Sequence, residues 1–135
     1  MDDMPRQTCG GILVSNQKIL LGKRKKDRLY PDIWDIFGGH IEFGETKEET
    51  LIRELEEEIG IKVKNFEFLE SYKDKDPTYG INYIHHIFIV HSWEGIPENK
   101  NPREHESIMW FSKDETENLK MHGEVKRIIL EKVDF

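Results

Sequence analysis

A chain of 135 residues has the length of one ordinary domain, able to bury about two-thirds of its unfolded surface around one core and one pocket. Seven Phe, four Tyr and three Trp exclude wholesale disorder despite 35% charged residues, and no apolar run approaches the roughly 18 residues of a membrane span. Twenty basic against 27 acidic residues give a net charge of −7, which argues against nucleic-acid polymers as partners.

The N-terminal MDDMPRQTCGG lacks the basic-then-apolar pattern of a signal peptide, and the lone Cys9 can form neither an internal disulfide nor a cysteine-rich zinc site. A cytoplasmic protein is expected. Thr8 to Val14 and Lys18 to Leu21 are short β-prone segments joined by Ser15-Asn16-Gln17, predicting a hairpin. The basic segment KRKKDRLYPD follows as a loop, and Trp34 to Phe37 reads as a short strand ending in a turn at Gly38-Gly39, where backbone must approach something closely.

Thr46 with Glu49 forms a capping box, followed by good helix formers to Ile59 and the stop signal Gly60. Val63 to Tyr72 and Tyr83 to Trp93 read as strands around the loop KDKDPTYG, and IHHIFIV is apolar on both parities, as a strand covered on two faces should be. The loop EGIPENKNPREHE leads to a strand at Ser107 to Phe111, and Val125, Ile128, Ile129 and Val133 recur at helical spacing. No repeat or interdomain linker interrupts this order. Residues 1–135 are expected to form a single domain, a mixed sheet with two main helices of the α+β or layered α/β class.

The acidity is concentrated. Residues 45–58 hold seven Glu against Lys47 and Arg53, a local charge of −5, while the other 121 residues carry 18 basic and 20 acidic groups. On a helical wheel with Glu54 at zero, Glu57 falls near 300° and Glu58 near 40°, beside a stripe of Leu51, Leu55, Ile59 and Ile52 spanning roughly 60° to 160°. Like charges at i, i+4 cost an isolated helix about 0.2–0.5 kcal/mol per pair, and those near the C-terminus also oppose the helix dipole. Such a face is either a solvated acidic surface or a source of carboxylate oxygens for a hard divalent cation.

The segment from Gly39 to Ile61, GHIEFGETKEETLIRELEEEIGI, resembles the Nudix box: Gly39, Glu45, Arg53, Glu54, Leu55, Glu57, Glu58, Gly60 and Ile61 fill its nine specified places without a gap. Lys23-Arg24, the Trp-x-Ile-x-Gly-Gly lead-in and WEGIPENKNPREHESIMWFSKDE extend the likeness to MutT-type nucleotide pyrophosphohydrolases. One departure is Phe37, where that family usually has Pro before the glycine pair. The resemblance implies a Nudix-type α/β/α sandwich with a mixed central sheet. It also implies Mg²⁺, with Mn²⁺ as a substitute, and a nucleotide substrate. A homodimer is compatible with the sequence.

By the same resemblance Glu57, Glu58 and the Gly39 carbonyl are metal ligands, Glu54 takes the proton from the attacking water, and Arg53 with Glu45 braces the loop against the helix. Glu106 is the expected downstream carboxylate, with Glu104 its competitor. Arg24 is expected to contact substrate and His40 to touch phosphate. His85, His86 and His91 alternate along one strand and cannot all converge on one metal. Trp34, Phe37 and Tyr30 are either base-stacking or core aromatics. Pro77 and Tyr79 match only loosely the marker positions of ADP-ribose and dinucleoside-polyphosphate hydrolases.

The reaction implied is hydrolysis of a nucleoside triphosphate, including oxidised ones such as 8-oxo-dGTP, to monophosphate and pyrophosphate. The alternatives are hydrolysis of ADP-ribose or a nucleoside-diphosphate sugar by the same metal site, and a Nudix-fold regulator that binds nucleotide without catalysis.

Overall fold

The computed structural model describes residues 4–26 and 31–135. In chain order the strands are β1 (Arg6–Ser15), β2 (Lys18–Arg24), β3 (Trp34–Asp35) and β4 (Phe37–His40), followed by helix α1 (Lys47–Ile59). Then come β5 (Lys62–Lys75), β6 (Asn82–Glu94), β7 (His105–Phe111), α2 (Lys113–Glu117) and α3 (Gly123–Lys132). Asn16 and Gln17 at φ 51° and 63° close the expected β1–β2 hairpin, a turn whose twist matches the flanking strands.

The seven strands form a mixed sheet ordered β3-β2-β1-β6-β5, with β4 added to β1 and β7 to β2. β1 is the hinge of this arrangement. Thr8 to Gly11 pair antiparallel with β4, Val14 and Ser15 pair with β2, and Arg6 to Leu13 run parallel to Tyr83 to Val90 of β6. Alternating side chains feed two cores. Leu13, Leu20, Phe37, Phe88 and Val90 pack on Leu51, Leu55 and Ile59 of α1, while Ile12, Leu21, Ile87, Ile89 and Phe111 pack on Val125, Ile128 and Ile129 of α3. The result is the layered α/β/α arrangement expected.

Three expectations need correction. The glycine pair is not a turn: Gly38 and Gly39 lie inside β4, where a Cβ on Gly38 would collide with the Cys9 carbonyl, so the pair lets two strands lie unusually close. The downstream strand begins at His105 rather than Ser107, and the central hairpin strands run on to Lys75 and begin again at Asn82. A short helix, α2, was missed although Ser112 and Glu115 form a second capping box.

Candidate active site

Helix α1 is set in place by its ends. Thr46 Oγ1 accepts from the Glu49 N–H at 3.1 Å, Glu49 returns a bond to the Thr46 N–H at 3.0 Å, and Gly60 closes the helix at φ 71°. With Leu51, Leu55 and Ile59 fully buried, the adjoining carboxylates are graded in exposure. The Glu58 side chain is 9% exposed, Glu54 14% and Glu57 58%.

Arg53 is the hub between this helix and the preceding loop. Its Nε and Nη2 donate to the two oxygens of Glu45 at 2.6 and 2.9 Å, a bidentate pair, and Nη2 also donates to the His40 carbonyl at 3.1 Å. Nη1 reaches Glu54 at 3.0 Å and Glu57 at 3.3 Å. Glu45 additionally accepts from the Thr50 hydroxyl at 2.8 Å and the Glu42 N–H at 3.0 Å. The Arg53 guanidinium, with these donors, pulls the Glu45 carboxyl down to about 2.

Burial raises the Glu54 carboxyl above the ordinary range, opposed by its bond from Arg53. Burial likewise raises Glu58, opposed by a hydrogen bond to His105, whose Nε2 lies 3.0 Å from Glu58 Oε2. The Glu54 carboxylate rests against Gly39, where any side-chain carbon would overlap it. Gly39 therefore brings strand backbone into contact with the acidic face of the helix.

An open cleft begins at this contact, lined by Gly39, Glu58, His105, Glu104, Arg24 and Asp35. It continues into a second recess sharing Arg24, Asp35, Tyr72, His85 and Val125, and reaching Asp74, Tyr83 and His122. Tyr72 lies between the rings of His85 and His122 at centroid distances of 4.8 and 5.5 Å, and Tyr83 stacks on His85 at 5.5 Å. Thr8 Oγ1 holds His85 Nδ1 at 2.5 Å, while His85 Nε2 and His122 Nε2 lie 3.8 and 3.5 Å from Asp74. Burial pushes Asp35 up and His85 down, so both favour their neutral forms at this end.

The sequence-predicted residues divide accordingly. Gly39, Glu54, Glu58, Arg53, Glu45 and Glu57 meet at the β4–α1 junction, and Arg24 lines the cleft. Glu106 does not. It is the unpaired residue of a bulge in β7, where Ser107 pairs with Lys23 and His105 with Arg24, and is 47% exposed with Lys23 Nζ at 3.8 Å. Glu104, in the turn before β7, lines the cleft beside Glu58 and has Arg24 at 3.4 Å. The exposed His40 ring points to Tyr83, 6.1 Å away, and only its carbonyl joins the network.

Phe37 is fully buried, and Trp34 packs edge-on to Phe111 at 4.8 Å, so both serve the cores. His86 is held by Ser71 and Gln7, His91 faces solvent near Glu67, and Tyr79 is exposed away from the cleft. Tyr30 lies outside the described residues. Sequence reasoning missed Asp35, Tyr72, His105 and His122. Asp35 alone had a local signal, its place between Trp34 and the glycine pair.

Among the described residues no three His, Cys, Asp or Glu side chains form a ready-made metal cage. Arg53 and His105 instead occupy the carboxylates, the first with its charge and the second with a hydrogen bond. The donor chemistry nevertheless suits a hard cation: carboxylate oxygens from Glu54, Glu57 and Glu58, within about one turn of the same helix, with a glycine whose missing side chain lets the strand backbone lie against them.

The family model for the NUDIX domain matches residues 4–133, and the chain belongs to that family. It is a MutT-like Nudix hydrolase. It is 32% identical over 108 residues to the 8-oxo-dGTP diphosphatase of Escherichia coli (strain K12), covering 78% of this chain and 82% of that one. The ADP-ribose pyrophosphatase of Methanocaldococcus jannaschii is 40% identical over 88 residues, 64% of this chain and 50% of the relative. The crystal structure of a MutT NUDIX hydrolase from Burkholderia pseudomallei superposes with a TM-score of 0.86 at 31% identity, over 97% of this chain and 99% of that one. No helix among the described residues is long and apolar enough to cross a membrane.

Proposed function

We propose that the protein hydrolyses a nucleoside triphosphate, oxidised forms such as 8-oxo-dGTP included, to the monophosphate and pyrophosphate with Mg²⁺, for which Mn²⁺ can substitute. The observation that carries this reading is the polarity of the cleft, with carboxylates and a glycine strand at one end and an aromatic, acid-lined recess at the other. A triphosphate fits the first and a base the second. An acceptor at Asp74 and the carboxyl of Asp35, whose neutral form both donates and accepts, suit a base edge that presents N–H donors beside a carbonyl, as the guanine edge does.

Glu57, Glu58 and the Gly39 carbonyl would hold the cation, and the position of Glu104 favours it over Glu106 as the downstream ligand. When bound, the divalent ion neutralises phosphate charge and makes the attacking water more acidic. Glu54, with its carboxyl already raised by burial, is placed to accept the water proton. Arg53 fixes Glu54 and, through Glu45, holds the loop that follows the strand of Gly39. Arg24, at the junction of both recesses, is positioned to meet phosphate.

A turnover screen with Mg²⁺ over nucleoside triphosphates, 8-oxo-dGTP, ADP-ribose and nucleotide sugars, with product identification, tests the proposal. Monophosphate plus pyrophosphate is expected. Preferential release of AMP and ribose 5-phosphate from ADP-ribose would favour the second reading, which the likeness to the Methanocaldococcus enzyme supports. Nucleotide binding with no turnover of any of these substrates would count against both.

A further inference from the structure

The carboxylate at Glu58 has a dedicated partner that the nine-position motif does not contain. His105, at the start of β7, is 3% exposed at its side chain and places Nε2 3.0 Å from Glu58 Oε2 across 47 residues of sequence. The ring is wedged. A Cβ added to Gly22 would stand 2.7 Å from His105 Nδ1 and 2.9 Å from Phe37 Cε1, and the Phe37 ring meets the imidazole edge-on at 5.1 Å. β2 and β4 thus clamp the imidazole so that only one of its nitrogens faces a polar group.

His105 Nδ1 is buried and has no hydrogen-bond partner among the described residues. A bare buried N–H is rarer and more costly than a bare acceptor, and a carboxylate only accepts, so the tautomer that fits carries its proton on Nε2 and donates it to Glu58. One Glu58 oxygen is then committed to His105 and the side chain is held in a single orientation. The carboxylate still lines the cleft, next to that of Glu54.

We infer that His105 is a positioning residue for metal binding: it locks the Glu58 carboxylate from behind, so that a divalent cation meets a pre-oriented oxygen rather than a mobile side chain. Outer partners that orient a ligand in this way typically contribute about 10–100-fold to metal affinity. The inference rests on Glu58 being a ligand, as proposed above.

The test is Mn²⁺ titration of the full chain followed by electron paramagnetic resonance, comparing His105→Phe, which keeps a flat ring but has no donor, with His105→Gln, whose amide nitrogen can occupy the Nε2 place. The Phe variant should bind Mn²⁺ about 10–100-fold more weakly and the Gln variant near the wild-type level. Long-range ¹H–¹⁵N spectra of the wild-type imidazole should show the proton on Nε2, a reading that needs no variant to fold. Wild-type affinity in a folded Phe variant, equal losses in Phe and Gln, or a proton on Nδ1 alone would each overturn the inference. A wild-type chain that binds no Mn²⁺ would overturn the metal reading of Glu58 itself, and this inference with it.

Discussion

Replacing Gly39 with alanine separates stability from activity in a way the structure makes quantitative. An ideal Cβ at this position stands 2.7 Å from Glu54 Oε2 and closer still to Cδ and Oε1, whereas ordinary contact begins near 3.4 Å. The carboxylate must therefore withdraw by about an ångström. It is the far end of a flexible side chain, so it can withdraw without opening the sheet, and the fold should lose no more than about 1–3 kcal/mol, the range for modest overpacking. The chemistry has no such latitude, since a misplacement of about 1 Å typically costs about 10²-fold in rate. Gly39→Ala should thus unfold cooperatively with a modest loss of Tm while kcat falls by roughly two orders of magnitude. Thermal melts and pyrophosphate release at saturating Mg²⁺ measure the two quantities. A Gly39→Ala protein within a few-fold of wild-type kcat would refute the claim that Glu54 works from its contact with the strand. Collapse of the fold would refute the claim that the side chain yields first.

Glu57→Gln removes an exposed charge whose bond from Arg53 is long, so metal-free stability should change by less than about 0.5 kcal/mol, while turnover should fall by at least about 10²-fold. Near-normal turnover of the folded variant at saturating Mg²⁺ would remove Glu57 from the site. Glu104→Gln should raise the Mg²⁺ concentration needed for activity and Glu106→Gln should leave it nearly unchanged; the reverse order would return the role to the residue facing Lys23. The Glu45 carboxyl, held down to about 2 from an ordinary 4.5, binds its proton more weakly folded than unfolded, so its contribution to stability is complete above about pH 4.5 and disappears as pH falls through 2. Glu45→Gln should accordingly flatten the acid limb of a Tm-against-pH curve between those values, and an unchanged limb would contradict the pairing. In ¹⁸O-water, label in pyrophosphate would assign attack to the β-phosphorus and label in the monophosphate to the α-phosphorus; orthophosphate as the only phosphate product would refute the pyrophosphohydrolase reading.

The acidic helix was legible in the sequence because everything that defines it is local: the capping box, the apolar stripe, the glycine stop. The grading of its carboxylates, with Glu58 buried and Glu57 exposed, was not read from the sequence, which placed all three on one face. The partner of Glu58, His105, was invisible, since β7 reaches α1 only through pairing with β2, and no local pattern encodes that approach. The glycine pair was misread for a related reason. Two adjacent glycines signal close backbone approach equally well in a turn or between strands, and only the Thr8 to Gly11 pairing with β4 decides between them. Phe37, a departure from the family pattern, proved to be a fully buried core side chain that packs edge-on against His105. Which of Glu104 and Glu106 lines the cleft depends on where β7 begins, a boundary that propensity cannot place to within two residues.

The double pairing of β1 has a consequence for how the molecule comes into being. Its parallel partner β6 lies 77 residues downstream, Arg6 against Tyr83, while its antiparallel partners β2 and β4 are nearby in sequence. During synthesis the hairpin and the glycine-rich strand can assemble early, but Thr8 cannot receive His85, and the wall of the cleft is missing, until β6 has been made. Closing so long a loop is among the slower steps available to a small domain. A nascent chain lacking β6 therefore has the acidic helix without the pocket that would aim a nucleotide at it, and competence to bind arrives together with resistance to proteolysis.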